Sequence, residues 1–184
     1  MDTSSQSPFV RCALASGLLT QDVVDATLAA LRWSDRSGSG HGGPPTDRQI
    51  ADKLVEMGRL NSWQAQQLLD GRTKFNLANY WMIDWIGQGG MGQVFKAEDR
   101  ASHLIVAVKV LPRSKSTPEA VENFAREIKA FERLDHPNLV RALDHGHDGA
   151  VHYLVTEYVP GTDLRKLVRR HGPLSMTAAA GIIS

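Results

Sequence analysis

The residues whose types and spacing could do chemistry lie between positions 87 and 109. Residues 87–94 read GQGGMGQV, which fits the pattern G-x-G-x-x-G-x-V, and residues 106–109 read VAVK. Glycines let backbone N–H groups come close to phosphate oxygens and tolerate positive φ. A lysine within an apolar strand is costly unless it meets a counter-charge, which a phosphate group would supply. The two patterns together indicate a site for the phosphates of a nucleotide.

The glycine pattern alone is ambiguous, because dinucleotide-binding folds use G-x-G-x-x-G as well. In those folds the glycines open a helix whose N-terminus faces the pyrophosphate. Here they lead into VFKA at residues 94–97 and then, after a polar turn, into LIVAV at residues 104–108. Such β-branched and aliphatic runs around a turn predict strands. A glycine-rich hairpin followed by a strand with one lysine is the protein-kinase arrangement, so we reject the dinucleotide interpretation.

From about residue 80 onward the chain resembles the N-terminal lobe of a bacterial Hanks-type serine/threonine protein kinase. The words that carry the resemblance are GGMGQVF at 89–95, FAREI at 124–128, HPNLV at 136–140 and YLVTEYVPG at 153–161. They resemble, in family order, the glycine-rich loop, the helix with the family's glutamate, the loop into the next strand, and the last strand with the hinge. GRLNSWQA at 58–65 and LLDG at 68–71 resemble an N-terminal extension of planctomycete-type kinases.

The resemblance implies transfer of the γ-phosphoryl group of ATP to a serine or threonine hydroxyl of a protein substrate, with Mg²⁺ as the metal. The catalytic residues that it implies in this chain are Lys109 and Glu127. The nucleotide-binding residues that it implies are Gly87, Gln88, Gly89, Gly90, Met91, Gly92, Val94, Ala107, Lys109, Thr156, Glu157, Val159 and Asp163.

Each implied role has a physical reason. Met91 would cover the phosphates, while Val94 and Ala107 would line a flat apolar slot for adenine. Thr156 would be the gatekeeper, and the hinge backbone of residues 157–159 would meet the adenine edge. The residue at 163 would contact ribose or cap a helix, and the sequence favours neither. The simpler interpretations are an ordinary tight hairpin for the glycines and a solvent-facing edge lysine for Lys109.

Four carboxylates of one predicted helix could pair with Lys109: Glu119, Glu122, Glu127 and Glu132. Val121, Phe124, Ile128 and Phe131 mark the face of that helix that should meet the sheet. Glu127 follows Phe124 by three residues and precedes Phe131 by four, so it borders this face. Glu122 and Arg126 are instead spaced as a solvent-side pair. We therefore choose Glu127 as the partner.

Two motifs of the kinase family are absent from the sequence. The catalytic loop H-R-D-x-x-x-x-N supplies the base and a metal ligand, and D-F-G supplies the other metal ligand. Neither occurs in these 184 residues. We therefore interpret the chain as a kinase truncated before its catalytic loop, with Mg²⁺ ligands elsewhere and no phosphotransfer of its own. The alternative is a non-catalytic nucleotide-binding or adaptor module.

The predicted fold class is α+β: a kinase N-lobe of a five-stranded antiparallel sheet plus one helix, preceded by a small all-α extension. Residues 1–71 are predicted to be the helical extension, with two αα-hairpins and a flexible Gly-, Ser- and Pro-rich linker at about 34–46. Residues 72–79 would be a connector, 80–160 the lobe, and 161–184 the hinge exit with the start of a second lobe. We expect the extension to fold apart from the lobe.

Composition limits the remaining possibilities. A formal net charge of +1 gives no electrostatic case for nucleic acid as a partner. The single cysteine and the lack of a signal peptide or membrane-length apolar run predict a cytoplasmic chain, with anchoring by another part left open. His145, His147 and His152 are predicted to be a solvated turn rather than a zinc site. The expected partners are ATP, a protein substrate and a partner for the extension.

Overall fold

The computed structural model describes residues 7–36, 43–89, 92–131 and 133–183. The first part is helical. Its four helices are α1 (Pro8–Ala15), α2 (Gln21–Arg36), α3 (Asp47–Glu56) and α4 (Ser62–Leu69). Because α2 continues to Arg36, the predicted linker begins later than expected, and its residues 37–42 lie outside the described residues.

The starts and ends of these helices follow from local chemistry. α3 and α4 both begin with a capping box, in which Thr46 pairs with Gln49 and Asn61 pairs with Gln64. In each box two backbone N–H groups that the helix would leave unpaired gain a partner. Gly17 and Gly58, at φ of 73° and 66°, follow the ends of α1 and α3.

The four helices enclose one hydrophobic core, the helical core, to which α1, α3 and α4 contribute most of the buried side chains. Its buried members are Phe9, Val10, Ala13, Leu19, Val24, Ile50, Ala51, Leu54, Leu60, Ala65, Leu68 and Phe75. Phe75 lies beyond α4, in the predicted connector, and Trp81 packs against the same core from the sheet. The helical part therefore contacts the sheet in the structure.

The second part is an antiparallel sheet with strand order β1-β2-β3-β4-β6-β5. The strands are β1 (Asn76–Leu77), β2 (Tyr80–Gln88), β3 (Gln93–Asp99), β4 (Ile105–Leu111), β5 (Ala142–Asp148) and β6 (Val151–Glu157). The predicted fold class, an antiparallel kinase-type sheet with a helical extension, is confirmed. The sheet carries the two-residue strand β1 in addition to the five predicted strands.

Alternate residues of β4 divide its side chains between two cores. Val106, Val108 and Val110 belong to the sheet core, which also contains Tyr80, Met82, Ala97, Tyr153 and Val155. On the other face, Leu111 and Leu154 are buried beneath α5 (Pro118–Phe131). The contacts from α5 come from Phe124 and Ile128, flanked by Val121 and Phe131, which is the face that the sequence predicted. Two further helices follow, α6 (Leu164–His171) and α7 (Met176–Ile183).

Candidate nucleotide site

The glycine-rich hairpin, residues 87–94, closes at the turn between β2 and β3. Gly87 pairs with Val94 in the ladder, and the N–H of Gly89 donates to the carbonyl of Gly92 at 2.9 Å. Gly92 is buried, and a Cβ atom at this position would lie 2.3 Å from the Val110 carbonyl oxygen. Only glycine fits there without backbone movement. The two tip residues, Gly90 and Met91, lie outside the described residues, as does the predicted cover over the phosphates.

Lys109 lies in the middle of β4, between Val94 of β3 and Leu154 of β6. Its ammonium donates to Glu127 Oε1 at 2.5 Å, and the two side chains are 20% and 22% exposed. This contact confirms the predicted pairing of Lys109 with Glu127. The lysine also lies beneath the hairpin, because a Cβ atom built on Gly89 would be 3.9 Å from Lys109 Nζ. The structure thus brings the glycines, the ammonium and the carboxylate together.

The second carboxylate oxygen of Glu127, Oε2, is buried and has no hydrogen-bond partner among the described residues. An unpaired buried acceptor is unusual, because it loses hydration without a compensating bond. Glu122 instead pairs with Arg126 at 2.9 Å on the solvent side of α5, as expected, and both side chains are 67% exposed. Glu119 is exposed in the first turn of the helix, and the fourth candidate, Glu132, lies outside the described residues.

The side of the site predicted for adenine is formed by neighbouring residues of three strands. Ala107 stands opposite Lys96 on β3 and opposite Thr156 on β6, so the three side chains share one face of the sheet. Lys96 reaches over the ring of Tyr158, with its Nζ 5.0 Å from the ring centroid. The sequence analysis missed this cation–π pair. Its signal was the position of Lys96 two residues after Val94, which places both on one face.

The predicted hinge begins at Glu157, the last residue of β6. The N–H of Glu157 donates to the Arg141 carbonyl at 3.0 Å, and its side-chain Oε1 accepts from the Arg141 N–H at 2.9 Å. The Glu157 carbonyl accepts a longer bond of 3.3 Å from the Thr156 hydroxyl. Val159 is 63% exposed. The backbone N–H of Glu157 is therefore already bonded to Arg141, which directly precedes β5.

Asp163, for which ribose contact and helix capping were both open, caps α6. Its Oδ1 accepts from the Lys166 N–H at 2.8 Å, and this bond lowers the pKa of the carboxyl below its usual range. The other carboxylate oxygen lies 3.5 Å from the Lys166 ammonium and remains exposed. Capping engages one oxygen and leaves the other open to solvent.

The described part of the chain contains no group of three or more histidine, cysteine, aspartate or glutamate side chains that could hold a metal ion. His145 and His147 lie on β5, and His152 lies across from them on β6, where the rings of His147 and His152 are 6.0 Å apart.

None of the described helices is long and apolar enough to cross a membrane.

The geometry fits an anionic ligand between the hairpin and β4. Gly92 closes the hairpin where no side chain fits, Gly89 presents no side chain above Lys109, and the lysine supplies a positive charge. Backbone N–H groups of glycine-rich turns and a lysine are the groups by which proteins hold phosphates. Cross-strand neighbours Ala107 and Thr156 lie beside this position with little side-chain bulk. The arrangement presents one positive charge beside side-chain-free backbone, and the described residues hold no cluster for a metal.

Comparison with known proteins gives a family. Residues 80–184 match the family described as "Protein kinase domain". The match covers more than half of the chain, and it begins at the first residue of β2.

The relatives include bacterial proteins named as serine/threonine-protein kinases and a mouse protein named as a kinase. The chain is 41% identical over 102 residues to "Serine/threonine-protein kinase pkn3" of Myxococcus xanthus, which is 54% of this chain and 18% of the relative. It is 36% identical over 105 residues to "Serine/threonine-protein kinase PrkC" of Bacillus subtilis, or 56% of this chain and 16% of the relative. "Aurora kinase C" of Mus musculus is 34% identical over 113 residues, 61% of this chain and 41% of the relative. The chain spans less than a fifth of the length of these bacterial relatives.

Proposed function

Since the chain belongs to the protein kinase family, we propose that residues 80–160 are the ATP-binding lobe of a serine/threonine kinase. Members of this family use ATP with a divalent metal and act on proteins. The observation that carries the proposal is the ion pair of Lys109 with Glu127 beneath Gly89. A buried lysine that is held by a carboxylate and open toward a glycine hairpin is arranged to receive phosphate oxygens.

We assign the roles of the residues from their positions. The hairpin residues Gly87, Gln88, Gly89, Gly90, Met91 and Gly92 would surround the phosphates. The N–H of Gly89 already donates to the Gly92 carbonyl, so Gly89 would contribute close approach of the backbone rather than a hydrogen bond. Lys109 would bind phosphate oxygens, and Glu127 would fix the direction of its side chain. Such fixation matters because phosphoryl transfer depends mainly on positioning and charge stabilisation.

The adenine ring would lie against Val94 and Ala107, with Thr156 at the back of the slot. At the hinge we assign the Glu157 carbonyl, since its N–H is already bonded to Arg141, and the backbone of Val159. Asp163 would reach ribose with the carboxylate oxygen that does not cap α6.

Mg²⁺, when bound with ATP, would neutralise charge that develops on the phosphates. None of the described residues forms a cluster that would hold it, and the motifs that supply its ligands in the family are absent from the sequence. We therefore propose that this chain alone binds ATP weakly and transfers no phosphoryl group. We also propose that residues 1–71 are the extension of a planctomycete-type kinase, on the sequence at 58–71.

The test is a titration of the 184-residue chain with MgATP, followed by NMR because weak binding is expected. Lys109→Met should weaken binding roughly ten- to hundredfold, the value of a charge-assisted hydrogen bond. The matched control is Lys129→Met, which removes an exposed lysine of α5 and should change nothing. Shifts should map to residues 87–89, 92–94 and 107–109.

Equal affinity of the parent chain and the Lys109→Met variant would contradict the proposed phosphate site. A phosphotransfer assay with a generic basic protein and labelled ATP should show no turnover. Turnover that Lys109→Met abolishes would show that this chain contains a metal site and a base that the family motifs do not identify. Binding without turnover in any longer chain would favour the non-catalytic alternative.

A further inference from the structure

The helical part is tied to β2 at a defect in the strand. Met82 pairs with Ala97 and Asp84 with Lys96, so Ile83 falls at a register shift and has no partner in this ladder. The carbonyl of Ile83 instead accepts a hydrogen bond of 2.8 Å from the Asn61 side-chain amide. A bulge leaves a strand carbonyl without its ladder bond, and a side chain from the helical part supplies the missing donor.

Asn61 uses both ends of its amide. Its oxygen accepts from the Gln64 N–H at 2.8 Å and so caps α4, while its NH₂ group reaches Ile83. Asn61 therefore both caps α4 and bonds to β2. By contrast, the corresponding cap of α3, Thr46, exchanges its bonds with Gln49 of its own helix.

Trp63, in the first turn of α4, provides a second connection. Its ring meets Phe75 edge-on at 5.7 Å and Phe95 of β3 at 5.8 Å. Among the described residues it is the one side chain that packs against both the helical core and the sheet core. Aromatic pairs in this range contribute beyond their burial alone.

These two contacts lie on β2 and β3, the strands that the glycine-rich hairpin joins. Val94 pairs with Lys109 and faces the candidate phosphate site, whereas Phe95, the next residue, points to the opposite face of β3. Trp63 rests on that opposite face at Phe95. Asn61 holds β2 at residue 83, four residues before the first glycine of the pattern.

We propose that the helical part braces the glycine-rich hairpin, and that Asn61 and Trp63 are positioning residues for the nucleotide. The inference rests on the proposed ATP site. Four of the eight hairpin residues are glycines, which offer no side chain for packing, so the direction of the hairpin depends on how β2 and β3 are held. Asn61 bonds to the backbone of β2, and Trp63 packs against the face of β3 that lies opposite the candidate phosphate site. A partner that displaced α4 would release both contacts and lower the affinity for ATP.

The experiment uses the 184-residue chain and four variants, with amide hydrogen exchange and MgATP titration measured on each. Asn61→Asp keeps an oxygen that can cap α4 but replaces the amide donor to Ile83 by a second acceptor. Trp63→Ala removes the ring, and Trp63→Phe restores an aromatic contact. Thr46→Ala is the matched control, because it removes an equivalent cap whose hydrogen bonds are made with Gln49 of its own helix.

Asn61→Asp and Trp63→Ala should speed exchange of residues 85–96 by about two- to tenfold and weaken MgATP binding by a similar factor, as expected for one lost hydrogen bond or ring contact. Thr46→Ala should speed exchange in α3 while leaving the hairpin and the ATP affinity unchanged. Trp63→Phe should recover most of the loss that Trp63→Ala causes.

Unchanged hairpin exchange in Asn61→Asp would overturn the proposal. So would faster exchange spread evenly over the whole chain, or a looser hairpin with unchanged ATP affinity. If the parent chain binds no ATP, the proposed ATP site fails, while the exchange measurement alone still decides whether the helical part restrains the hairpin.

Discussion

Gly92 lies directly against the backbone of Val110, on the strand that follows the glycine-rich hairpin. A Cβ atom on Gly92 would approach the Val110 carbonyl oxygen to 2.3 Å and its carbonyl carbon to 3.1 Å. Both are backbone atoms of β4, which is held between β3 and β6 and cannot swing aside as a side chain could. The last glycine of the pattern is therefore required by strand packing as well as by any phosphate.

This contact predicts that Gly92→Ala destabilises the chain in the absence of nucleotide. Overpacking of this kind costs about 1–3 kcal/mol, which a urea unfolding curve would measure. The control is Gly87→Ala, because a Cβ atom there would meet nothing within 4 Å. If Gly92→Ala unfolds at the same urea concentration as the parent chain, β3 and β4 do not approach as closely as the structure has them.

The buried pair of Lys109 and Glu127 predicts an asymmetric response to substitution. Glu127→Ala should lower the free energy of unfolding by about 1–3 kcal/mol, because it leaves a largely buried ammonium without its acceptor. Glu127→Gln should cost less, since its amide oxygen can still accept from Lys109. Glu122→Ala on the solvent side should change stability by less than about 1 kcal/mol. Equal losses at positions 122 and 127 would contradict the structural difference between the two pairs.

Asp148 predicts a dependence of stability on pH. Its Oδ2 accepts from the Ala78 N–H at 3.2 Å and from the Lys74 ammonium at 3.3 Å, and these bonds hold the pKa of the carboxyl below its ordinary value. A carboxyl whose pKa is lowered on folding stabilises the fold above its unfolded pKa of about 3.9, and this stabilisation is lost as the pH falls through the folded value.

Asp148→Asn should therefore unfold more easily than the parent chain at pH 7, and the difference should shrink below about pH 4. Thermal unfolding between pH 3 and pH 7 would measure it. Asp52→Asn, which removes an equal charge from an exposed position on α3, serves as the control. A difference that stays constant over this range would assign the effect of Asp148 to something other than its charge.

The stretch between α2 and α3 is predicted to be the first site of proteolysis. Residues 37–42 read SGSGHG, a composition typical of flexible linkers, and they lie outside the described residues. Limited trypsin or elastase digestion with mass spectrometry should place the first cut between residues 34 and 46. The connector at 72–79 should resist, because Phe75 and Leu77 are buried. Earlier cutting at 72–79 would contradict the prediction.

The sequence predicted the central contact of the candidate site because that contact depends on periodicity. Lys109 lies on the face of β4 that is turned toward α5, and Glu127 borders the apolar face of α5. When these two faces pack together, the two side chains meet. The spacing of Val121, Phe124 and Ile128 identified the face of the helix that packs against the sheet. The roles of these residues toward ATP stay a prediction.

The same reasoning could not predict the tie between Asn61 and Ile83. Asn61 caps α4, but its second bond depends on a register shift in β2. Bulges adjust the twist of a strand against its neighbours and leave little trace in a run such as YWMIDWIGQ. No pattern in α4 indicates that Trp63 packs against two cores at once.

The order of the strands also decides how copies of this chain would meet. The sheet ends at β1, which has two residues, and at β5, whose sequence ALDHGHD is polar and half exposed. An open edge is a template for pairing with another molecule, and short or charged edge strands suppress such pairing. Asp144 and Asp148 are also occupied within the molecule, by Tyr80 and by Lys74. The β5 edge therefore gives a second chain no long apolar strand to extend, whereas beyond Trp81 the open edge on the other side is β2 itself, where Trp85 and Ile86 are exposed.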